Sequence, residues 1–180
     1  MLAAWIVGRG VEGVFAQSRE ASEYQIKAAY LYNFAKFVDW PPENSGTAEN
    51  PIAICIAGKD PFGNILDKLV EGKTVRGRGL VIRRLAPEHD LKGCQIAFVS
   101  AAERNYVPAF LESANRTGVL AVGETEGFAA LGGTINFVLE DKKVHFEINA
   151  DAAQRANLKI SSKLLSLARI VKDQDRQRKN

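Results

Sequence analysis

Histidine and cysteine are scarce in this 180-residue chain, which has two of each. His89 lies in a Pro-Glu-His-Asp stretch that reads as a solvated loop, and His145 falls on the polar face of a strand beside Glu147. Neither belongs to a cluster with metal-ligand spacing, so no metal site is expected. No Gly-x-Ser-x-Gly elbow is present, and no carboxylate pair stands out, which disfavours an enzyme. The glycines do not build a phosphate cradle. Gly72-Lys73-Thr74 has Asp67 where a phosphate loop requires glycine, and it follows a predicted helix where such a loop precedes one. No Gly-x-Gly-x-x-Gly follows the first predicted strand, because Gly58 and Gly63 stand alone. No cofactor is therefore expected. No apolar run reaches the roughly 18 residues of a spanning helix, so direct membrane insertion is not expected. Charge of one sign is lacking too. The net charge is +3 and 25% of residues are charged, an ordinary balance that gives nucleic-acid binding no support.

What is present fits a single globular domain. Hydrophobic residues make up 46% of the chain, enough to fill a sizeable core. Residues 1–16 read as a weak secretory signal. Leu2 to Val7 is a short apolar core and Val14-Phe15-Ala16 ends on a small residue, although there is no basic n-region and Arg9 and Glu12 interrupt the apolar stretch. Residues 172–180 contain no aliphatic or aromatic side chain and are expected to be a disordered tail.

Between these ends the periodicity alternates. Ile26, Tyr30, Leu31, Phe34, Phe37 and Val38 recur at helical spacing, with Ser22-Glu23-Tyr24-Gln25 as a capping box and Trp40-Pro41 as the stop. Residues 51–57 form a strand apolar on both faces, hence central and covered on both sides. Asp60 and Pro61 suit the N-cap and N1 of a helix that Gly72 ends. Strands are expected at 79–86, 94–100, 118–122 and 134–139, with a helix at 102–115 that Pro108 kinks or delays to near Tyr106, and a short helix at 127–131. Residues 140–143 turn the chain into a sixth strand, 144–149, antiparallel to the fifth. Beyond it, Asp151 and Gln154 cap a short helix to Ala156, with Asn157 in the left-handed C′ position. Residues 158–160 run extended, and Ser161 or Ser162 caps a last helix with Leu164, Leu165, Ala168 and Val171 inward and Leu167 widening the stripe. The fold expected is α/β: one mostly parallel sheet of five to six strands flanked by helices, with a C-terminal antiparallel hairpin and helices.

Two features carry chemistry. Cys55 is mid-strand in the first strand and Cys94 opens the third. In a doubly wound sheet of order 2-1-3 these strands are neighbours, about 4.8 Å apart, within reach of a disulfide; two buried thiols are the alternative. Arg76, Arg78, Arg83 and Arg84 form the densest basic run, either a solvated strand edge or a site for phosphate groups, an acidic partner or a lipid head group. The crevice at Gly58, Lys59 and Asp60 is where such folds bind small ligands.

Three blocks then resemble a known family: residues 27–41 (KAAYLYNFAKFVDWP), 91–99 (LKGCQIAFV), and the run from Gly133-Thr134-Ile135-Asn136-Phe137 through Phe146-Glu147-Ile148-Asn149 to 158–165 (LKISSKLL). Together, over residues 23–171, they resemble the YfiR family. The resemblance implies a non-enzymatic periplasmic repressor that binds the periplasmic domain of a membrane GGDEF protein, a diguanylate cyclase. It would thereby lower cyclic di-GMP and disfavour biofilm formation. It also implies a homodimer, and a Cys55–Cys94 disulfide tied to redox control. Family members carry a second cysteine pair that this chain lacks. The partner surface is expected at Glu147 and Asn149, the positions read as free on the last strand, although Glu147 has Lys142 and Lys163 as alternative partners. A periplasmic small-ligand module using Gly58, Lys59 and Asp60 is the alternative function.

Overall fold

The computed structural model describes residues 11–42 and 50–173, and the side chains from residue 20 onward. The predicted signal, the loop at 43–50 and the tail fall wholly or partly on residues 1–10, 43–49 and 174–180, which lie outside the described residues.

Helix α1 (Val11–Phe37) lies across one face of the sheet. Leu31, Phe34 and Val38 of the expected stripe are fully buried, joined by Ala28 and Ala35, while Tyr30 and Phe37 are half-buried. Ile26 is 44% exposed instead, because it sits on the opposite side of the helix from that stripe. Ser22 does not cap α1. The helix continues upstream of it, so carbonyls one turn back satisfy the amides that a cap would have served. After α1 come β1 (Val38–Asp39), β2 (Ile52–Ala57), α2 (Ile65–Val70), β3 (Thr74–Val75), β4 (Arg78–Leu85) and β5 (Ile96–Val99). A 3₁₀ stretch (Ala101–Tyr106) leads into α3 (Val107–Thr117), with Pro108 in its first turn, where a proline costs no hydrogen bond. The chain closes with β6 (Leu120–Gly123), β7 (Ile135–Glu140), β8 (Lys143–Asn149), α4 (Ala150–Arg155), β9 (Lys159–Ile160), α5 (Ser162–Leu165) and β10 (Arg169–Val171).

The main sheet runs β10-β8-β7-β6-β5-β2-β4-β3, and β1 pairs separately with β9. Strands β4, β2, β5, β6 and β7 are parallel, and β8 is antiparallel to β7. The six expected strands are present in the expected order; β3 and β10, two short edge strands, raise the count to eight. Every residue of β2, β5 and β6 is buried. Ile52, Ile54 and Ile56 face α1 and α2, while Ala53, Cys55 and Ala57 join the smaller core around α3. On the α1 side Phe34 meets Phe137 and Phe146 at ring-centroid distances of 5.8 and 5.5 Å. Asp141 and Lys142 both have positive φ, which gives the tight two-residue turn whose twist suits the β7–β8 hairpin.

Three expectations fail for identifiable reasons. Helix α2 begins at Ile65 rather than near Pro61. Asp60 instead accepts from the Phe62 amide at 2.7 Å, and Gly63 has φ +54°, a left-handed residue that cannot continue a helix. Residues 127–131 form turns rather than a helix. They curl around the buried Phe128 ring, which approaches Gly123 and Gly133 so closely that a Cβ there would lie 2.6 and 2.1 Å from it. The last predicted helix stops after one turn, and residues 169–171 add a strand parallel to β8. The apolar spacing of this segment fits either form. Pairing with the otherwise open edge of β8 decides it, and Leu167 ends 67% exposed.

Phe34→Ala empties the centre of the α1 core, and we expect a loss of about 3–5 kcal/mol in urea unfolding. A loss below about 1 kcal/mol would mean that α1 is not packed as described.

Candidate functional site

The disulfide is the best-defined chemical feature. Cys55 and Cys94 are bonded, with Cα atoms 5.9 Å apart and exposures of 0% and 1%. Cys55 stands opposite Ala97 in the β2–β5 ladder, so Cys94 reaches it from the turn just before β5. Gln95 holds that turn. Its amide donates to Ala53 O at 3.0 Å, its side-chain Oε1 accepts from the Ala53 amide at 2.7 Å, and its carbonyl accepts from Leu120 N and from Trp40 Nε1. The cross-link therefore closes a ring containing β2's end, α2, β3 and β4, inside a dry core of Leu91, Phe110 and Ala114.

A buried ionic cluster pins α1 to the ends of β5 and β6. Glu124 follows β6, and its side chain is 5% exposed. It accepts from Lys27 Nζ at 2.7 Å, from Tyr24 Oη at 3.1 Å and from the Ala101 amide at 3.0 Å. Lys27 also pairs with Glu23 and lies over the Tyr24 ring at 4.7 Å. Burial, with the Glu124 charge next, pushes the Tyr24 hydroxyl well above its ordinary pKa. The cluster went unread in the sequence, where its one signal was a lysine in register with the apolar stripe of α1.

The crevice residues are engaged by the chain itself. Gly58 has φ +77°, and a Cβ there would lie 2.5 Å from the carboxyl carbon of Glu103. Glu103 accepts from the Lys59 amide at 2.9 Å. Asp60 holds Arg84 at 2.7 Å, and Arg84 also reaches Asp67, whose pKa is lowered chiefly by that hydrogen bond. Of the arginine run, Arg76 pairs with Asp39 and Arg78 donates to the carbonyls of Asn50 and Pro51. Arg83 is exposed on β4.

The third feature is the outer face of β7, β8 and β10. Asn136, Val138 and Glu140 stand opposite Glu147, His145 and Lys143 on it. Arg169 of β10 bridges Glu147 and Glu140, at 2.7 Å each. Beside the bridge, Val138, His145 and Leu167 help line a shallow cleft of about 110 Å³. Glu147 is thus half-buried and held by Arg169, rather than by Lys142 or Lys163. Asn149, read as free, is fully buried. Its Oδ1 caps α4 by accepting from the Ala152 amide at 3.0 Å, and its Nδ2 donates to Ala129 O and Asp173 Oδ1. The odd-even rule of strands places it outward, but its position at the strand end turns it into a helix cap, and Asp173, expected to be disordered, completes its hydrogen bonds.

Among the described residues no group of three His, Cys, Asp or Glu side chains is placed to hold a metal, and no helix is long and apolar enough to cross a membrane. Strands β1 to β9, the Cys55–Cys94 bond and the β7–β8 hairpin fall within residues 24–169, the span matched by the profile of the YfiR/HmsC-like family. The chain belongs to the YfiR/HmsC-like family. This is a regulatory, non-catalytic and periplasmic family. A search among curated proteins finds no match.

Reducing the disulfide, or combining Cys55→Ala with Cys94→Ala, should lower unfolding stability by roughly 4 kcal/mol for a ring of this size. Urea unfolding with and without reductant measures it, and coincident curves would refute the estimate. Tyr24 gives a pH test. The folded chain holds its proton more tightly than the unfolded chain, so the stability it contributes is complete below about pH 10 and declines as pH rises above that value. Tyr24→Phe should therefore have a flatter stability profile on the alkaline side; identical slopes would rule out this account.

Proposed function

We propose that this chain is a non-enzymatic periplasmic regulator that binds the periplasmic domain of an inner-membrane diguanylate cyclase and holds it inactive. It thereby lowers cyclic di-GMP and disfavours biofilm formation. Membership in the YfiR/HmsC-like family over residues 24–169 carries this reading. The Cys55–Cys94 bond supports it, since such bonds persist in oxidising compartments such as the periplasm. To repress, the chain must bind the inactive cyclase conformation more tightly than the active one, because equal affinity shifts no equilibrium.

The docking surface we assign is the outer face of β7, β8 and β10, centred on Glu147 and Arg169. It is a rigid sheet surface with an exposed Leu167 beside its charges, and α3 packs on β5 and β6 instead. Redox gating follows if loss of the disulfide loosens the β2–β4 half of the sheet and weakens cyclase binding. The crevice at Gly58, Lys59 and Asp60 recedes as a ligand site, because Glu103 takes the Lys59 amide and packs against Gly58.

Deleting the gene should raise cyclic di-GMP, and the protein should capture a membrane GGDEF protein in a periplasmic pull-down. Arg169→Gln should weaken that capture at least tenfold, about what losing one charge-assisted interfacial contact costs, with the unfolding midpoint measured alongside. Unchanged cyclic di-GMP in the deletion strain sinks the function; unchanged capture by the Arg169 variant sinks the surface. Cys55→Ser with Cys94→Ser tests the gating, which fails if protein abundance and cyclic di-GMP both stay at wild-type levels.

A further inference from the structure

The end of the molecule where the parallel strands begin carries a surface that the proposed docking face does not include. Helix α1 ends there, beside the small β1–β9 sheet. Lys36 Nζ lies 5.5 Å from the centre of the Tyr32 ring, and Lys73 Nζ lies 4.9 Å from the same ring. Lys163 Nζ lies 5.4 Å from the Phe37 ring. These lysines come from α1, from the turn before β3 and from α5. All are exposed, while Tyr32 and Phe37 are half-buried. None of the lysines joins an ion pair among the described residues. Beside them Arg76 donates to Lys36 O and pairs with Asp39, and Lys159 stands opposite the same Asp39 across the β1–β9 ladder, so this neighbourhood adds one further net positive charge.

Helix electrostatics explain only part of this. Lys36 in the last turn of α1 complements the negative end of the helix dipole, but Lys73 and Lys163 belong to other elements. The charge distribution of the chain is also uneven. Glu103, Glu124 and Glu126 lie where β5 and β6 finish, at the far end from the lysines, with Glu124 neutralised by Lys27, while the other end carries Lys36, Lys73, Lys159 and Lys163 against Asp39 and Glu71. Exposed lysines whose ammonium groups lie over half-buried rings suit the headgroup layer of a bilayer. There aromatic rings lie at the polar boundary and lysines reach the phosphates. The clefts beside Arg169, Pro108 and His89 lie on other parts of the surface.

We propose that this lysine–aromatic end adsorbs reversibly to anionic phospholipid headgroups, without insertion, and so holds the chain at a membrane surface in a fixed orientation. The inference does not depend on the cyclase, and its test contains none. The full chain is mixed with phosphatidylcholine vesicles, with or without an equal share of phosphatidylglycerol, and bound protein is measured by co-sedimentation. Binding should require phosphatidylglycerol and be lost as salt shortens the screening length from about 10 Å at 0.1 M to 3 Å at 1 M. Combining Lys36→Gln, Lys73→Gln and Lys163→Gln should weaken binding on the order of 100-fold, roughly fivefold per lysine. Lys142→Gln with Lys143→Gln, at the hairpin turn, should bind as wild type. The unfolding midpoint checks the triple variant; if it does not fold, Lys73→Gln and Lys163→Gln singly give the fivefold steps. Equal binding to neutral vesicles, no binding to anionic ones, or wild-type binding by the folded triple variant overturns the proposal. So does lysine-dependent capture of a polyglutamate peptide without vesicle binding, which would assign the surface to an acidic protein.

Discussion

The structure depends on one helix being fixed across one sheet at both ends. At the end where the strands finish, Lys27 and Tyr24 of α1 converge on the buried carboxylate of Glu124. At the end where they begin, the indole of Trp40 donates to the carbonyl of Gln95, and Phe37 O accepts from the Ser161 amide. Between these points Leu31 and Phe34 supply the apolar contact. The hydrophobic stripe provides most of the free energy but little direction, since apolar contact alone tolerates sliding. A buried ion pair contributes little net stability, but it is costly to break, because each charge would be left desolvated. The Lys27–Glu124 contact therefore sets where α1 sits along the strands.

The disulfide acts on the other layer. Its sulfurs lie in the core beneath α3, and its ring encloses α2, β3 and β4, which form one edge of the sheet. Opening the bond would enlarge the conformational freedom of that half in the unfolded chain while leaving the β7–β8–β10 edge uncross-linked as before. A redox signal would reach the proposed docking face through the shared strands β5 and β6 or through α1, which packs on both α2 and β8. Gln95, whose backbone and side chain join β2 to β5 and β6, is the residue best placed to transmit it.

The proposed docking face and the proposed lipid-facing end are separate parts of the surface. The outer face of the hairpin and β10 is a flat sheet organised by Arg169. The start of the sheet is a basic end studded with half-buried rings. A regulator facing a membrane protein has use for both: one surface for the protein and one for the lipid around it. Since the two are separate, a change at one need not disturb the other.

Much of this was legible along the chain. The apolar pattern of β2 declared a central strand, Ser161 declared a cap that the structure shows accepting from Leu164, and Asn157 declared a left-handed residue. Order 2-1-3 brought Cys55 and Cys94 within bonding reach, although the sequence left two buried thiols open and the structure decided for the bond. Apart from the bond itself, each of these rests on local periodicity, on backbone preference, or on topology rules that few sequences escape, and so the sequence by itself determined them. The tertiary structure alone decided the rest. Residues 169–171 became a strand because β8 offered an edge. Asn149 became a buried cap because α4 begins where β8 ends. Glu124 found Lys27, 97 residues away, because α1 crosses the strand ends. Partners so distant in sequence leave no mark on local pattern, and where the local preference is weak the free energy of satisfying buried polar groups chooses the outcome.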